Sequence, residues 1–202
     1  MAIFLDVRQD RYRAMSWECA RPLVCAANTP IPPRIADRAR DLGWIVEGSS
    51  GGARQPPDLG PAEEIDPAIV ACRSSGLGVA GAWWLLGAIR FRLATQPLER
   101  ILTTASAANR KVGSATLPCW STIAPTLAAF RSAERYVLAR NTCLLRSLAL
   151  HEALARRGVA ASLIFGVKLQ PFEAHCWVQH GRTLLNDTVE RTGLFVPIRV
   201  VQ

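Results

Sequence analysis

The sequence has no CxxC pair, no block of like charge, no GxxxxGK[ST] loop and no apolar run of membrane-spanning length. Each absence narrows what the chain can do. Its six cysteines stand singly at 19, 25, 72, 119, 143 and 176, which fits free thiols in a reducing compartment rather than a disulfide framework. The most apolar stretch, residues 76–89, holds four glycines and falls short of the roughly 20 residues that cross a bilayer, so it predicts a buried helix and no membrane insertion. With no phosphate-cradling loop, neither a nucleotide site nor any other cofactor is expected. The opening MAIFLDVRQD carries Asp6 and lacks the basic-then-apolar order of a secretory signal, so a cytoplasmic protein is expected.

The formal charge of +8 is unevenly spread. Residues 1–66 hold 8 Lys+Arg against 10 Asp+Glu, and residues 67–202 hold 16 against 6. The basic residues of the second part (Arg90, Arg92, Arg100, Arg110, Lys111, Arg131, Arg135, Arg140) are scattered, which describes a solvated helical surface and not a nucleic-acid footprint. At 202 residues, 50% of them hydrophobic, the chain can bury the core of a small domain joined to a compact catalytic one.

The pattern along the chain is α+β. Residues 3–7 and 11–15 read as a hairpin about Arg8-Gln9-Asp10, followed by helices at 17–27 and 33–42 and a short strand at 44–47. That order outlines a small winged-helix-like domain over residues 1–50. The Gly- and Pro-rich stretch 48–67 places a linker at 51–67, and a second domain spans 68–202. Within it, helices are expected at 68–94, 98–108 and 121–140, the last capped by Ser121 with Pro125 in its first turn. Strands follow at 159–169, 174–179, 183–186 and 195–201, with a turn at His180-Gly181-Arg182.

Between helices and strands lies NTCLLRSLALHEALARRG, residues 141–158. Asn141 and Thr142 are N-cap types, Gly158 can close the other end, and Cys143 falls in the first turn, where the positive end of the helix dipole favours thiolate. Leucines 144, 145, 148, 150 and 154 spread over most of the circumference, as in a helix buried on nearly all sides. Downstream stand His175 and Asp187 on two successive strands, a base and a carboxylate able to fix its tautomer. Cys143, His175 and Asp187 are therefore the candidate catalytic residues. A zinc site from Cys143, His175, Cys176 and His151 is the rival, but neighbours on a strand point to opposite faces, so His175 and Cys176 do not converge and no metal is expected.

The residues Cys143-Leu144-Leu145-Arg146-Ser147-Leu148, Leu154 with Arg157-Gly158, Phe165-Gly166-Val167, Pro171-Phe172, Ala174-His175, Trp177-Val178 and Leu185-Asn186-Asp187 resemble the lasso-peptide maturation proteases. These are the B proteins of their pathways, in the transglutaminase-like and papain-like cysteine superfamily. Cys176 departs from the small residue that usually follows the histidine. The resemblance implies a peptidase that cuts a precursor between leader and core: the Cys143 thiolate attacks the leader's last carbonyl and His175 protonates the leaving amine. The freed N-terminus would pass to a partner cyclase resembling asparagine synthetase. ATP dependence is attributed to the family, but this sequence holds no motif for it. The Cys143 amide is the expected oxyanion donor.

At FLDVRQDRYRAM the opening hairpin resembles the leader-peptide recognition domains of ribosomal peptide maturation, which take a leader as an added strand. That likeness points to the region around Phe4, Leu5, Arg11 and Tyr12 as the leader-binding surface. An acyl transferase of the same fold and a non-catalytic peptide chaperone are the alternatives.

Overall fold

The structure, a computed structural model, describes residues 2–6, 11–15, 33, 37, 61–66, 69, 75–112, 120–135, 142–169 and 171–202. The chain divides into two compact units, Met1–Gln55 and Pro56–Gln202.

In the first unit, β1 (Ala2–Asp6) pairs antiparallel with β2 (Arg11–Met15), Ala2 lying opposite Met15 and Asp6 opposite Arg11. The first strand already includes Ala2. The expected helices at 17–27 and 33–42, the strand at 44–47 and the linker at 51–67 fall outside the described residues, apart from the helical Pro33 and Asp37 and the segment 61–66. Of the winged-helix-like outline, the described residues contain the hairpin and these two helical positions.

Among the described residues, the second unit sets four long helices against one antiparallel sheet. Within the expected helix at 68–94, Ile69 is helical but Ser75 is extended and takes the N-cap of a separate helix, α1 (Gly76–Thr95), its hydroxyl accepting the Gly78 amide at 3.1 Å. Ala82, Leu85, Leu86 and Ile89 form its buried stripe at helical spacing. Helix α2 (Leu98–Val112) runs beyond the expected 108, with Arg110 and Lys111 in its last turn suited to the negative end of the dipole. Buried Asn109 grips residue 161 through both backbone groups, its Nδ2 donating to the Ala161 carbonyl at 3.0 Å and its Oδ1 accepting the Ala161 amide at 3.1 Å. Helix α3 (Trp120–Glu134) starts one residue before Ser121, so that serine lies inside the helix rather than capping it. Pro125 accordingly falls in the second turn, where it removes an intrahelical bond.

Helix α4 (Cys143–Ala155) is the element the others surround. Leu145, Leu148, Leu150 and Leu154 are buried, and Ser147, Ala149, His151 and Ala153 fill the remaining sides. Burial of a single leucine here contributes ~1.5–3 kcal/mol. Gly158, at φ +73°, ends the helix in the left-handed conformation that glycine adopts without penalty, and the Val159 amide reaches back to the Leu154 carbonyl at 3.0 Å. Glu152 receives Arg92 of α1 at 2.7 Å and Arg156 at 2.6 Å, tying the two helices at this end.

The sheet order is β5-β4-β3-β6, formed by β3 (Ser162–Leu169), β4 (Phe172–His180), β5 (Thr183–Leu184) and β6 (Val196–Val201). Helix α5 (Val189–Thr192) lies between β5 and β6, capped by Thr188. The β4–β5 turn is the two-residue loop Gly181-Arg182, with Gly181 at φ +56°. Residues 175–179 of β4 are all buried, so this central strand is covered on both faces. One cluster of the core joins Ile164, Trp177, Leu184 and Phe195, with Ala62, Val189 and Val200 packed against it. The segment 61–66 adds to the edge at β5, where the Leu184 amide donates to the Glu63 carbonyl at 2.8 Å.

Candidate active site

Cys143 is the first residue of α4. Thr142 occupies the cap position but makes no side-chain cap bond, and Asn141 lies outside the described residues. The half-buried thiol therefore sits at the mouth of a helix, hydrogen-bonded to His175 and approached by the backbone amides of Leu144 and Cys176. His175 comes from the middle of β4 and is buried. Its ring is stacked with Trp177 at 5.9 Å and packs against Phe195 at 5.0 Å. Gly166 stands opposite His175 on β3, and a Cβ there would come within 2.8 Å of the Trp177 ring and 2.9 Å of Phe195 Cβ. Glycine is what lets these two walls close around the imidazole.

Asp187 reaches the same imidazole by a route the sequence pattern does not foretell. It was expected on a strand beside His175, but β5 ends at Leu184 and Asp187 lies in the irregular turn before α5. The pairing of Gln179 with Leu184 and of His180 with Thr183, continued, would place Asp187 opposite Cys176, on the sheet face away from His175. Because the strand stops, the carboxylate is free to turn, and Asp187 Oδ2 accepts a hydrogen bond from His175 Nε2. Its other oxygen, Oδ1, accepts the Thr188 amide at 2.9 Å. With Nε2 so engaged, Nδ1 is the ring nitrogen left to face the sulfur.

The electrostatics follow from these partners. Burial alone would lower His175, but hydrogen bonds to Asp187 and Cys143 and their negative charges raise it to about 9. Burial would raise the Cys143 thiol, and the hydrogen bond and charge of His175 together with the Leu144 and Cys176 amides outweigh it, leaving Cys143 below the ordinary thiol value. Burial acts in the same upward sense on Asp187, yet the His175 and Thr188 bonds hold it below the usual carboxylate range. The two shifts run in the sense that favours a thiolate–imidazolium pair, the thiol lowered and the imidazole raised. Cys176, one residue from the base, is the opposite case: fully buried, its thiol is pushed well above the ordinary value, so it is no second nucleophile.

A cavity of about 290 Å³ opens on these groups and is also walled by Glu134, Arg146, Glu173 and Arg191. Burial raises Glu134, partly offset by the charges of Arg146 and Arg131. A second cavity of about 220 Å³ shares Glu134, Asn186 and Asp187 with the first and continues over Leu127, Phe130 and Leu150. Among the described residues, no group of three or more His, Cys, Asp and Glu side chains is placed to hold a metal ion. His151 lies two turns along α4 from Cys143, buried in the helix core. Phe4, Leu5, Arg11 and Tyr12 stand on the hairpin of the first unit, where Leu5 pairs with Tyr12.

Sequence patterning passes over two residues next to this site, Ser147 and Asn186. Ser147 is one helical turn from Cys143, and that i to i+4 spacing on one face is the signal that could have found it. Asn186 carries no such mark beyond standing before Asp187.

Residues 84–200 match the family model described as the transglutaminase-like superfamily. A stretch of 48 residues is 42% identical to the microcin J25-processing protein McjB of Escherichia coli, covering 24% of this chain and 23% of that protein's length. No solved structure matches.

Proposed function

We propose that this chain, which belongs to the transglutaminase-like superfamily, is a cysteine peptidase that removes the leader from a precursor peptide in lasso-peptide maturation. Membership rests on a match over more than half of the chain. The observation that carries the peptidase reading is the hydrogen-bonded series Cys143–His175–Asp187 at the mouth of a cavity. The substrate class is supported by the local likeness to McjB, whose name is that of a microcin-processing protein.

In this reading the Cys143 thiolate attacks the carbonyl carbon at the leader–core junction, forming the C–S bond as the carbonyl oxygen takes up negative charge. His175, protonated at Nδ1, gives that proton to the amine of the core as the C–N bond breaks. The leader remains as a thioester. Water, deprotonated by the now neutral His175, attacks the thioester, and the sulfur leaves as thiolate to regenerate the ion pair. Asp187 holds the ring through Nε2 and stabilises its cation throughout. The Cys143 amide, in a first helical turn that offers it no intrahelical acceptor, is the proposed oxyanion donor. The hairpin around Phe4, Leu5, Arg11 and Tyr12 is the proposed leader-binding surface, with the linker at 51–67 joining it to the catalytic domain. The freed core amine is what a partner cyclase would join to a side-chain carboxyl.

The test is mass spectrometry of a lasso precursor peptide incubated with the protein and with Cys143→Ala. Free leader and free core are expected with the wild type and neither with the variant. Cleavage that survives Cys143→Ala overturns the mechanism, and a product in which the leader acyl group is joined to an added amine assigns an acyl transferase instead.

A further inference from the structure

Each proposed catalytic residue has a neighbour in one hydrogen-bonded chain. Ser147 lies one turn along α4 from Cys143, Cys176 follows His175, and Asn186 precedes Asp187. The Ser147 hydroxyl, completely buried, donates to the Cys176 carbonyl at 2.8 Å and accepts from Asn186 Nδ2 at 2.9 Å. Asn186 Oδ1 in turn accepts the Val178 amide at 2.8 Å.

That last bond has a specific consequence for the backbone. On the β4–β5 pairing, Leu185 is opposite Val178, and its amide donates to the Val178 carbonyl at 3.0 Å as a ladder requires. The return bond is made by the Asn186 side chain, where a regular ladder would use the Leu185 carbonyl. Val178 is thereby satisfied while the backbone departs from the sheet, and this departure brings Asp187 off the Cys176 face and onto the His175 ring. Residue 176 is meanwhile gripped from α4 on two sides, its amide directed at the Cys143 sulfur and its carbonyl held by Ser147. The Ser147 contact thus ties the first turns of α4 to β4.

We propose that Ser147 and Asn186 are positioning residues: together they set the spacing of the nucleophile, the base and the carboxylate by fixing three chain segments to one another. The proposal rests on the thiol-catalyst reading above and deepens it, since neither residue takes part in bond making or breaking. Removal of either hydrogen-bonding group lets Asp187 and His175 drift from Cys143, and the thiolate loses its partner.

Iodoacetamide alkylation of Cys143 across pH, followed by peptide mass spectrometry to separate this thiol from the other five, measures that partnership without a peptide substrate. The wild type is expected to titrate below an ordinary thiol. Ser147→Ala and Asn186→Ala are each expected to raise the midpoint by about one pH unit, a roughly tenfold loss of thiolate on the acid side, with the double variant no worse than the worse single one. Ser147→Thr and Ser147→Val add the same bulk, so Thr is expected to retain a lower midpoint than Val if the hydroxyl, and not packing, is what matters. Thermal unfolding identifies the folded variants; should Ser147→Ala fail to fold, the half-buried Asn186→Ala carries the decision. Folded variants whose midpoint equals that of the wild type overturn the proposal. A wild-type Cys143 that itself titrates as an ordinary thiol overturns the underlying reading instead, so the two failures are distinguishable.

Discussion

The mouth and the middle of α4 each present a buried histidine, and the two behave oppositely. At the mouth His175 meets Asp187 on one side and Cys143 on the other, and its pKa rises to about 9. In the middle His151 is lowered: burial dominates, and the Ala161 carbonyl and Glu152 charge only partly offset it. The Ala161 carbonyl lies near the ring but is taken by Asn109 Nδ2, and neither ring nitrogen of His151 has a partner in hydrogen-bonding geometry. The cysteines repeat the contrast, Cys143 lowered beside an imidazole and Cys176 raised by burial. Burial alone therefore does not make a reactive group; burial with an ionic partner does.

Removing the partner should turn the mouth into the middle. Asp187→Asn takes away the carboxylate that raises His175, and kcat/KM for leader cleavage is expected to fall ~10²–10⁴-fold, with the alkaline limb of the pH–rate profile moving to lower pH. In the wild type that limb is expected near 9, where His175 gives up its proton. Activity retained within a few-fold in Asp187→Asn breaks the comparison.

The walls of His175 are the next lever. Gly166→Ala puts a methyl group against the Trp177 ring and the Phe195 Cβ, the second of which is anchored close to the backbone and yields little. A loss of ~1–3 kcal/mol in denaturant unfolding is expected, together with reduced activity as the imidazole is displaced. Unchanged stability would show that the aromatic walls shift freely.

The mildest effects belong to the middle. His151→Leu replaces an unsatisfied buried ring with an apolar side chain and is expected to change stability at neutral pH by no more than ~1 kcal/mol, with cleavage intact. It should also flatten one side of the pH–stability curve. Because the folded-state pKa of His151 lies below 6.5, the unfolded chain takes up a proton that the folded one does not, so its contribution is lost as pH falls through 6.5. His175 acts in the opposite window: its folded-state pKa is raised above 6.5, so its contribution is full below 6.5 and is lost as pH rises through about 9. Urea titrations of His151→Leu and wild type, carried from well below pH 6.5 to above pH 9, separate the two. An unaltered acid side in the variant removes His151 from the account.

Much of the second unit was legible in advance because periodicity and termini are local properties. The stripe Ala82, Leu85, Leu86 and Ile89, the all-round burial of the nucleophile helix and the glycine closure at 158 all follow from residues a few positions apart. Boundaries failed where a single side chain decides them, as with the Ser75 cap that starts α1 afresh inside the expected 68–94 and the helix that begins before Ser121. Of the first unit the described residues hold the hairpin and the helical Pro33 and Asp37; the rest of the expected outline falls outside them.

By itself the chain determined a thiol at a helix start, a histidine in a strand and a carboxylate further on, in an order that suits nucleophilic chemistry. It could not determine that they meet, because strand register alone would have put Asp187 on the wrong face of the sheet. That was decided by contacts between residues distant in sequence: Asn186 taking the Val178 amide, Ser147 bridging from α4, and Gly166 making room for the rings beside His175. Hydrogen bonds and close packing of this kind depend on three-dimensional neighbours, so only the tertiary structure turns three suitable residues into one site.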